Sequence, residues 1–205
     1  MIVKVCGLRQ AENIREVEKA GADWFGFIFY PKSPRFVGDM PSYLPASGRR
    51  IGVFVSPSFE DVVQAAERFG LHGVQLHGEA SPELCQRLHD VGFMVVRALP
   101  AAHDLNVTVK PYRDAVDYFL FDTPTKNYGG SGRVFDWSLL RSYDGDEPFL
   151  LSGGLRPDSM ETVSHFGHPK WVGVDLNSGF ETAPGVKSAA DLENFITALR
   201  KRFPS

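Results

Sequence analysis

The 205-residue chain is 43% hydrophobic and 23% charged, enough to bury a sizeable core as one large domain or two small ones. Its net charge of −3, with Lys and Arg scattered, leaves no footprint for nucleic acid, and no run approaches the ~18 apolar residues of a membrane span. The opening "MIVKVCGLRQ" lacks a signal peptide's apolar stretch, and the two cysteines, Cys6 and Cys85, form no disulfide framework, so a cytoplasmic protein is expected.

Eight short β-branched or aromatic runs follow in order: "IVKVC" (2–6), "WFGFIF" (24–29), "RIGVFV" (50–55), "GVQLH" (73–77), "FMVVRAL" (93–99), "YFLFD" (118–122), "FLLSG" (149–153) and "WVGVDL" (171–176). Several are apolar on both faces, as parallel strands covered on each side should be. Amphipathic stretches separate them. "AENIREVEKAGA" spaces Ile14, Val17 and Ala20 for a helix that stops at Gly21. "SFEDVVQAAERFG" and "SPELCQRLHDVG" open on serine and end on glycine, and "RPDSMETVSHFG" and "SAADLENFITALRKRF" repeat the plan. Two connections are weak: "GDMPSYLPASGR" carries Pro41 and Pro45 and supplies one helical turn at most, and "AAHDLNVTVKPYRDA" predicts a short or irregular fifth helix. A βαβ series of eight units closes into a barrel or lies open as a doubly wound sheet.

In either architecture ligands bind beyond the carboxyl ends of the strands. Those ends carry Cys6-Gly7, "YPKSPR" with Arg35, His77-Gly78, Arg97, Asp122, Ser152-Gly153-Gly154 and Asp175-Leu176-Asn177-Ser178-Gly179. The glycine pairs after the seventh and eighth strands let backbone N–H groups approach an anion, the usual phosphate position in such barrels; a tight turn is the plainer reading of either loop alone. Cys6 is either a small buried hydrophobe or a thiol at the mouth, which neighbouring positive charge would activate. Cys85, with Leu84 and Leu88, fits the buried face of a helix.

Asp122 ends an apolar strand as a general acid or as a hydrogen-bonded anchor, and the glycine-rich "TPTKNYGGSGR" after it favours the acid with a loop able to fold over a ligand. Arg35, in a loop stiffened by two prolines, is suited to a two-pronged grip on a carboxylate. His77 is a base, a donor or a core histidine. The six histidines form no metal-ligand pattern, and there is no dinucleotide fingerprint.

Taken in order, "KVCG" (4–7), "GFIFYPKSPR" (26–35), "GVFV" (52–55), "VQLHGE" (74–79), "FDTPTKNYGGSGRVFDW" (121–137), "LSGGL" (151–155) and "VDLNSGFE" (174–181) closely resemble the phosphoribosylanthranilate isomerases, nearly end to end. The resemblance implies an α/β fold, a (βα)8 TIM barrel forming a single domain over residues 1–205. It implies an Amadori rearrangement of N-(5′-phosphoribosyl)anthranilate in tryptophan biosynthesis, with Cys6 as general base and Asp122 as general acid. Arg35 would hold the anthranilate carboxylate, Asp175 would lie near the substrate, and Gly153, Gly154, Asn177 and Ser178 would take the phosphate.

No metal or organic cofactor is expected, and the partner is the small-molecule substrate, in a monomer or homodimer. The eighth-strand motif departs from the family's usual DVSSG, reading Asp175-Leu176-Asn177-Ser178-Gly179 here. An aldolase would need a strand-end lysine, the related histidine-pathway isomerases carry an aspartate where this chain has Cys6, and a non-catalytic phosphate-binding barrel would have no use for both Cys6 and Asp122.

Overall fold

A computed structural model describes residues 1–102, 104–122 and 137–204. Eight parallel strands hydrogen-bond in sequence order: β1 (Ile2–Cys6), β2 (Trp24–Ile28), β3 (Arg49–Val55), β4 (Gly73–His77), β5 (Met94–Pro100), β6 (Tyr118–Asp122), β7 (Phe149–Leu151) and β8 (Trp171–Leu176). β8 returns to pair with β1, with Lys4 opposite Asp175, so the sheet closes into a barrel and the doubly wound alternative is excluded.

The strands' period of two sorts their side chains into two cores. Outward residues such as Val3, Val5, Phe25, Phe27, Val74, Leu76, Phe119 and Phe121 pack under the helices. Inward residues Trp24, Ile51, Met94, Val96, Ala98, Leu120 and Leu150 fill the lumen. On β1 this alternation sends Lys4 and Cys6 to the inside. It also turns Arg97 outward, between inward Val96 and Ala98. Its guanidinium donates to the carbonyls of Leu76, Ala98 and Gly78 at 2.7, 3.1 and 2.7 Å, bracing the loop after β4 instead of entering the mouth.

The outer layer comprises α1 (Ala11–Lys19), α2 (Phe59–Phe69), α3 (Pro82–Asp90), α4 (Leu105–Val109), α5 (Met160–His165) and α6 (Ala189–Arg202). Local signals start and stop the best of them. Ser58 and Asp61 form a reciprocal capping box at α2, and Gly70 ends it in the left-handed conformation at φ 57°. Ser81 caps α3 ahead of Pro82, and Ser188 caps α6. Among the described residues, no helix is long and apolar enough to cross a membrane.

The weak connections behave as their composition requires. No helix forms between β2 and β3, only turns and one bridge from Ile28 to Phe36. α4 is five residues, continued by a 3-10 turn over Lys110–Tyr112. A 3-10 helix, Trp137–Ser142, covers β6 and β7. Next to it in sequence, Tyr143 makes edge contacts with Phe121 and Phe149, centroids 5.4 Å from each.

Two expectations need correction. β7 ends at Leu151 and not at residue 153, because Gly153 and Gly154 adopt φ +88° and +72°, outside any strand. The segment after β7 starts as a 3-10 turn, Pro157–Ser159, and leaves only six residues of α-helix. The sequence reading also passed over a small hairpin, β9 (Glu181–Ala183) with β10 (Val186–Lys187), between β8 and α6.

Candidate active site at the carboxyl mouth of the barrel

Because all eight strands run the same way, their carboxyl ends form one rim, and Cys6, His77 and Asp122 end their strands on it, whereas Arg97 faces outward. Cys6 ends β1 and is buried against Gly26 of β2; a Cβ at position 26 would sit 2.9 Å from its sulfur. Burial raises the Cys6 thiol, and Asp175 adds to the shift, whereas the ammonium groups of Lys4 and Lys187 pull the other way. The free protein therefore holds a neutral thiol with two cations at hand to favour its thiolate.

Lys4, two residues earlier on the same inward face, is completely buried and donates to Asp175 Oδ1 at 2.7 Å. Burial opposes its charge, but Asp175 and Cys6 outweigh that and its pKa is raised. Asp175 thus points one carboxylate oxygen at Lys4 within the lumen. Asp122 ends β6 on the opposite arc of the rim, with the Ser152 hydroxyl 3.4 Å from Oδ1. The loop "TPTKNYGGSGR", read as a cover over this site, lies outside the described residues.

His77 ends β4 with its Nε2 2.6 Å from Gln75 Nε2. Burial, reinforced by Lys4 and Arg97, lowers its pKa to about 3, so the ring is neutral near pH 7.

The loops after β7 and β8 lie against each other: a Cβ on Gly179 would fall 2.0 Å from the Leu155 carbonyl oxygen. The backbone hydrogen bonds of the described residues leave the N–H groups of Gly153, Gly154, Ser178 and Gly179 unpaired. N–H groups left over on two touching glycine loops are donors of the kind a phosphate takes. Among the described residues no group of three or more His, Cys, Asp or Glu side chains could hold a metal ion.

Arg35 is already held. Its Nε and Nη2 donate to Glu181 Oε1 and Oε2 at 2.8 and 2.7 Å, a two-pronged fork. Lys187 Nζ, fully buried, donates to the same Oε1 at 2.8 Å and to Asn177 Oδ1 at 2.7 Å. Burial alone would raise Glu181, but Arg35 and Lys187 bring it down to about 2. Sequence reasoning missed Lys4, Glu181 and Lys187. A lysine flanked by Val3 and Val5, in step with Cys6, was the available signal for the first; Glu181 stood unexamined at the end of "VDLNSGFE". "PGVKS" offers nothing for Lys187.

Residues 3–198 match the sequence model of the family described as N-(5′phosphoribosyl)anthranilate (PRA) isomerase. The chain belongs to this family. Among its isomerases, the N-(5′-phosphoribosyl)anthranilate isomerase of Phocaeicola vulgatus is 50% identical over 203 residues, covering 98% of this chain and 99% of the relative. The crystal structure of the phosphoribosyl anthranilate isomerase of Thermotoga maritima superposes with a TM-score of 0.84 at 34% identity, over 98% of this chain and all of that one. A further solved structure, a phosphoribosyl anthranilate isomerase in complex with reduced 1-(o-carboxyphenylamino)-1-deoxyribulose 5-phosphate, gives 0.81 at 32% identity, with 98% of this chain and all of that one covered. The likeness to these isomerases is therefore not confined to one half of the barrel: it takes in β1 and β8, the two strands whose pairing closes the rim.

Proposed function

We propose that the chain isomerises N-(5′-phosphoribosyl)anthranilate to 1-(2-carboxyphenylamino)-1-deoxyribulose 5-phosphate, the aldose-to-ketose Amadori step of tryptophan biosynthesis. Family membership supports the reaction. The observation that carries the mechanism is the pairing on one rim of a cation-flanked thiol at the end of β1 with a carboxyl at the end of β6.

Asp122, as the acid, gives its proton to the ribose ring oxygen. The C1′–O bond breaks and the anilino nitrogen supplies the electron pair for a C1′=N iminium. That positive charge adds to Lys4 and Lys187 in opposing the desolvation that raises Cys6, and it favours the thiolate when it is needed. With its own proton released to water, the thiolate then takes the C2′ proton; the C–H electrons form the C1′=C2′ bond and the C1′=N pair returns to nitrogen, giving an enolamine. Protonation at C1′ with loss of the C2′ hydroxyl proton gives the ketone. Phosphate held by the glycine loops and a carboxylate held by Arg35 would fix both ends of the substrate, turning the proton transfers into steps within one assembly.

The test follows turnover directly, since the anthranilate ring of the substrate fluoresces. Cys6→Ser and Asp122→Asn are each expected to lower kcat by about two orders of magnitude or more, the scale of general acid–base groups, with folding retained. A wild-type kcat in either variant removes that residue from its role.

A further inference from the structure

The hairpin after β8 does more than connect β8 to α6. It delivers Glu181 and Lys187 to the Arg35 side chain, whose stem runs beside Gly7, the residue after Cys6: a Cβ at Gly7 would fall 2.8 Å from Arg35 Cδ. Glu181 is fully used. Oε1 accepts from Arg35 Nε, Lys187 Nζ and the Gly185 backbone N–H at 2.8, 2.8 and 3.0 Å, and Oε2 accepts from Arg35 Nη2 at 2.7 Å. The hairpin is itself pinned to α1, where Asn13 exchanges two hydrogen bonds with the Lys187 backbone, at 2.8 and 2.7 Å.

A guanidinium has two edges able to meet a carboxylate, and Glu181 takes the Nε/Nη2 edge. Among the described residues no protein acceptor engages Nη1, which leaves the Nη1/Nη2 edge for a second carboxylate. The charges point the same way. One arginine and one lysine around one glutamate leave a single positive charge in excess, in a place where all three side chains are nearly or wholly buried. Without Lys187 the Arg35–Glu181 pair would be neutral and would draw no anion.

We propose that Glu181 is the positioning residue of the carboxylate clamp. It fixes the guanidinium so that the outer edge is ready for the substrate, while Lys187 keeps the assembly cationic and ties it through Asn177 to the loop after β8. The inference rests on the reading of Arg35 as the residue that holds the anthranilate carboxylate.

The experiment compares two probes: the reduced product, which carries the aryl carboxylate, and ribose 5-phosphate, which has the sugar phosphate alone. Binding of each is measured for wild type, Glu181→Gln, Arg35→Ala and the double variant. Glu181→Gln is expected to weaken the reduced product about ten-fold or more while ribose 5-phosphate changes less than about two-fold, and the double variant should bind no worse than Arg35→Ala. Equal losses for both probes would make Glu181 merely structural and overturn the proposal, as would an unchanged or tightened reduced product. If Arg35→Ala spares the reduced product, the clamp reading itself fails, whatever Glu181 does. Should Glu181→Gln not fold, Glu181→Asp keeps the charge but withdraws it by one methylene. The same selective loss, about three-fold or more, is then expected, and parallel losses would again refute it.

Discussion

Replacing Lys4 by methionine removes one half of an ion pair sealed inside the barrel while conserving most of the side-chain volume. Lys4 is wholly buried, the Asp175 side chain is only 6% exposed, and Nζ and Oδ1 are 2.7 Å apart. At an effective dielectric near 20 the attraction at that separation is about 6 kcal/mol, and the desolvation of two ions takes back a similar amount. The intact pair therefore contributes little net stability, but Lys4→Met strands a buried carboxylate and should cost about 3–5 kcal/mol. For a chain of this length that corresponds to a fall in Tm of roughly 6–20 °C.

The double variant Lys4→Met/Asp175→Leu removes both charges and should recover most of the loss, so urea unfolding of the two singles and the double yields a coupling of about 3 kcal/mol or more. A second reading comes from the sulfur. Lys4 is the cation that most opposes the upward shift of Cys6, so Lys4→Met should slow Cys6 alkylation at pH 8, with peptide mass separating Cys6 from Cys85, whose burial pushes its thiol up to about 11. A loss below about 1 kcal/mol for Lys4→Met, or strict additivity in the double, would refute the picture of a dry, mutually dependent pair.

The remaining predictions concern pH, packing and metal. His77 is held near 3 in the fold against 6.5 when free, so the unfolded chain binds the extra proton between those values; stability is whole above pH 6.5 and falls as pH drops through that window. Glu181, held near 2, adds a second loss between about 4.5 and 2, so Tm should decline steadily on acidification, and His77→Asn should flatten the upper part of the curve. An unchanged slope in that variant would end the His77 assignment. Gly26→Ala puts a methyl 2.9 Å from the Cys6 sulfur and should lower kcat by about ten-fold or more while costing about 1–3 kcal/mol in stability; a normal kcat would mean the sulfur's position is uncritical. Turnover after dialysis against EDTA should be undiminished, and an inhibition relieved by added metal would contradict the proposed acid–base route.

What could be read from the chain was what is written locally. Helix α2 is announced by Ser58 at one end and Gly70 at the other, and the strands by largely apolar runs five to seven residues long, because caps and the two-residue period act over a few positions. The rim followed from topology alone: once strands are parallel, Cys6, His77 and Asp122 must share one end. The end of β7 was misread because Ser152 follows three apolar residues with no break before the glycines. The charge network could not be read locally, since Lys4 meets Asp175 across 171 positions and Arg35 meets Glu181 across 146. The hairpin's strands, three and two residues long, are too short to leave a periodic trace.

Those long separations bear on how the molecule comes into being. Lys4–Asp175, Asn13–Lys187 and Arg35–Glu181 all stitch the first stretch of chain to the last. During synthesis the early ammonium and guanidinium groups emerge with no counterions waiting and stay hydrated until the eighth strand and the hairpin after it arrive. Joining the seam and burying these charges are thus coupled, and the cost of bringing such distant segments together is met once for both. A nascent chain still short of its final strand would be catalytically silent however much of the sheet had already formed.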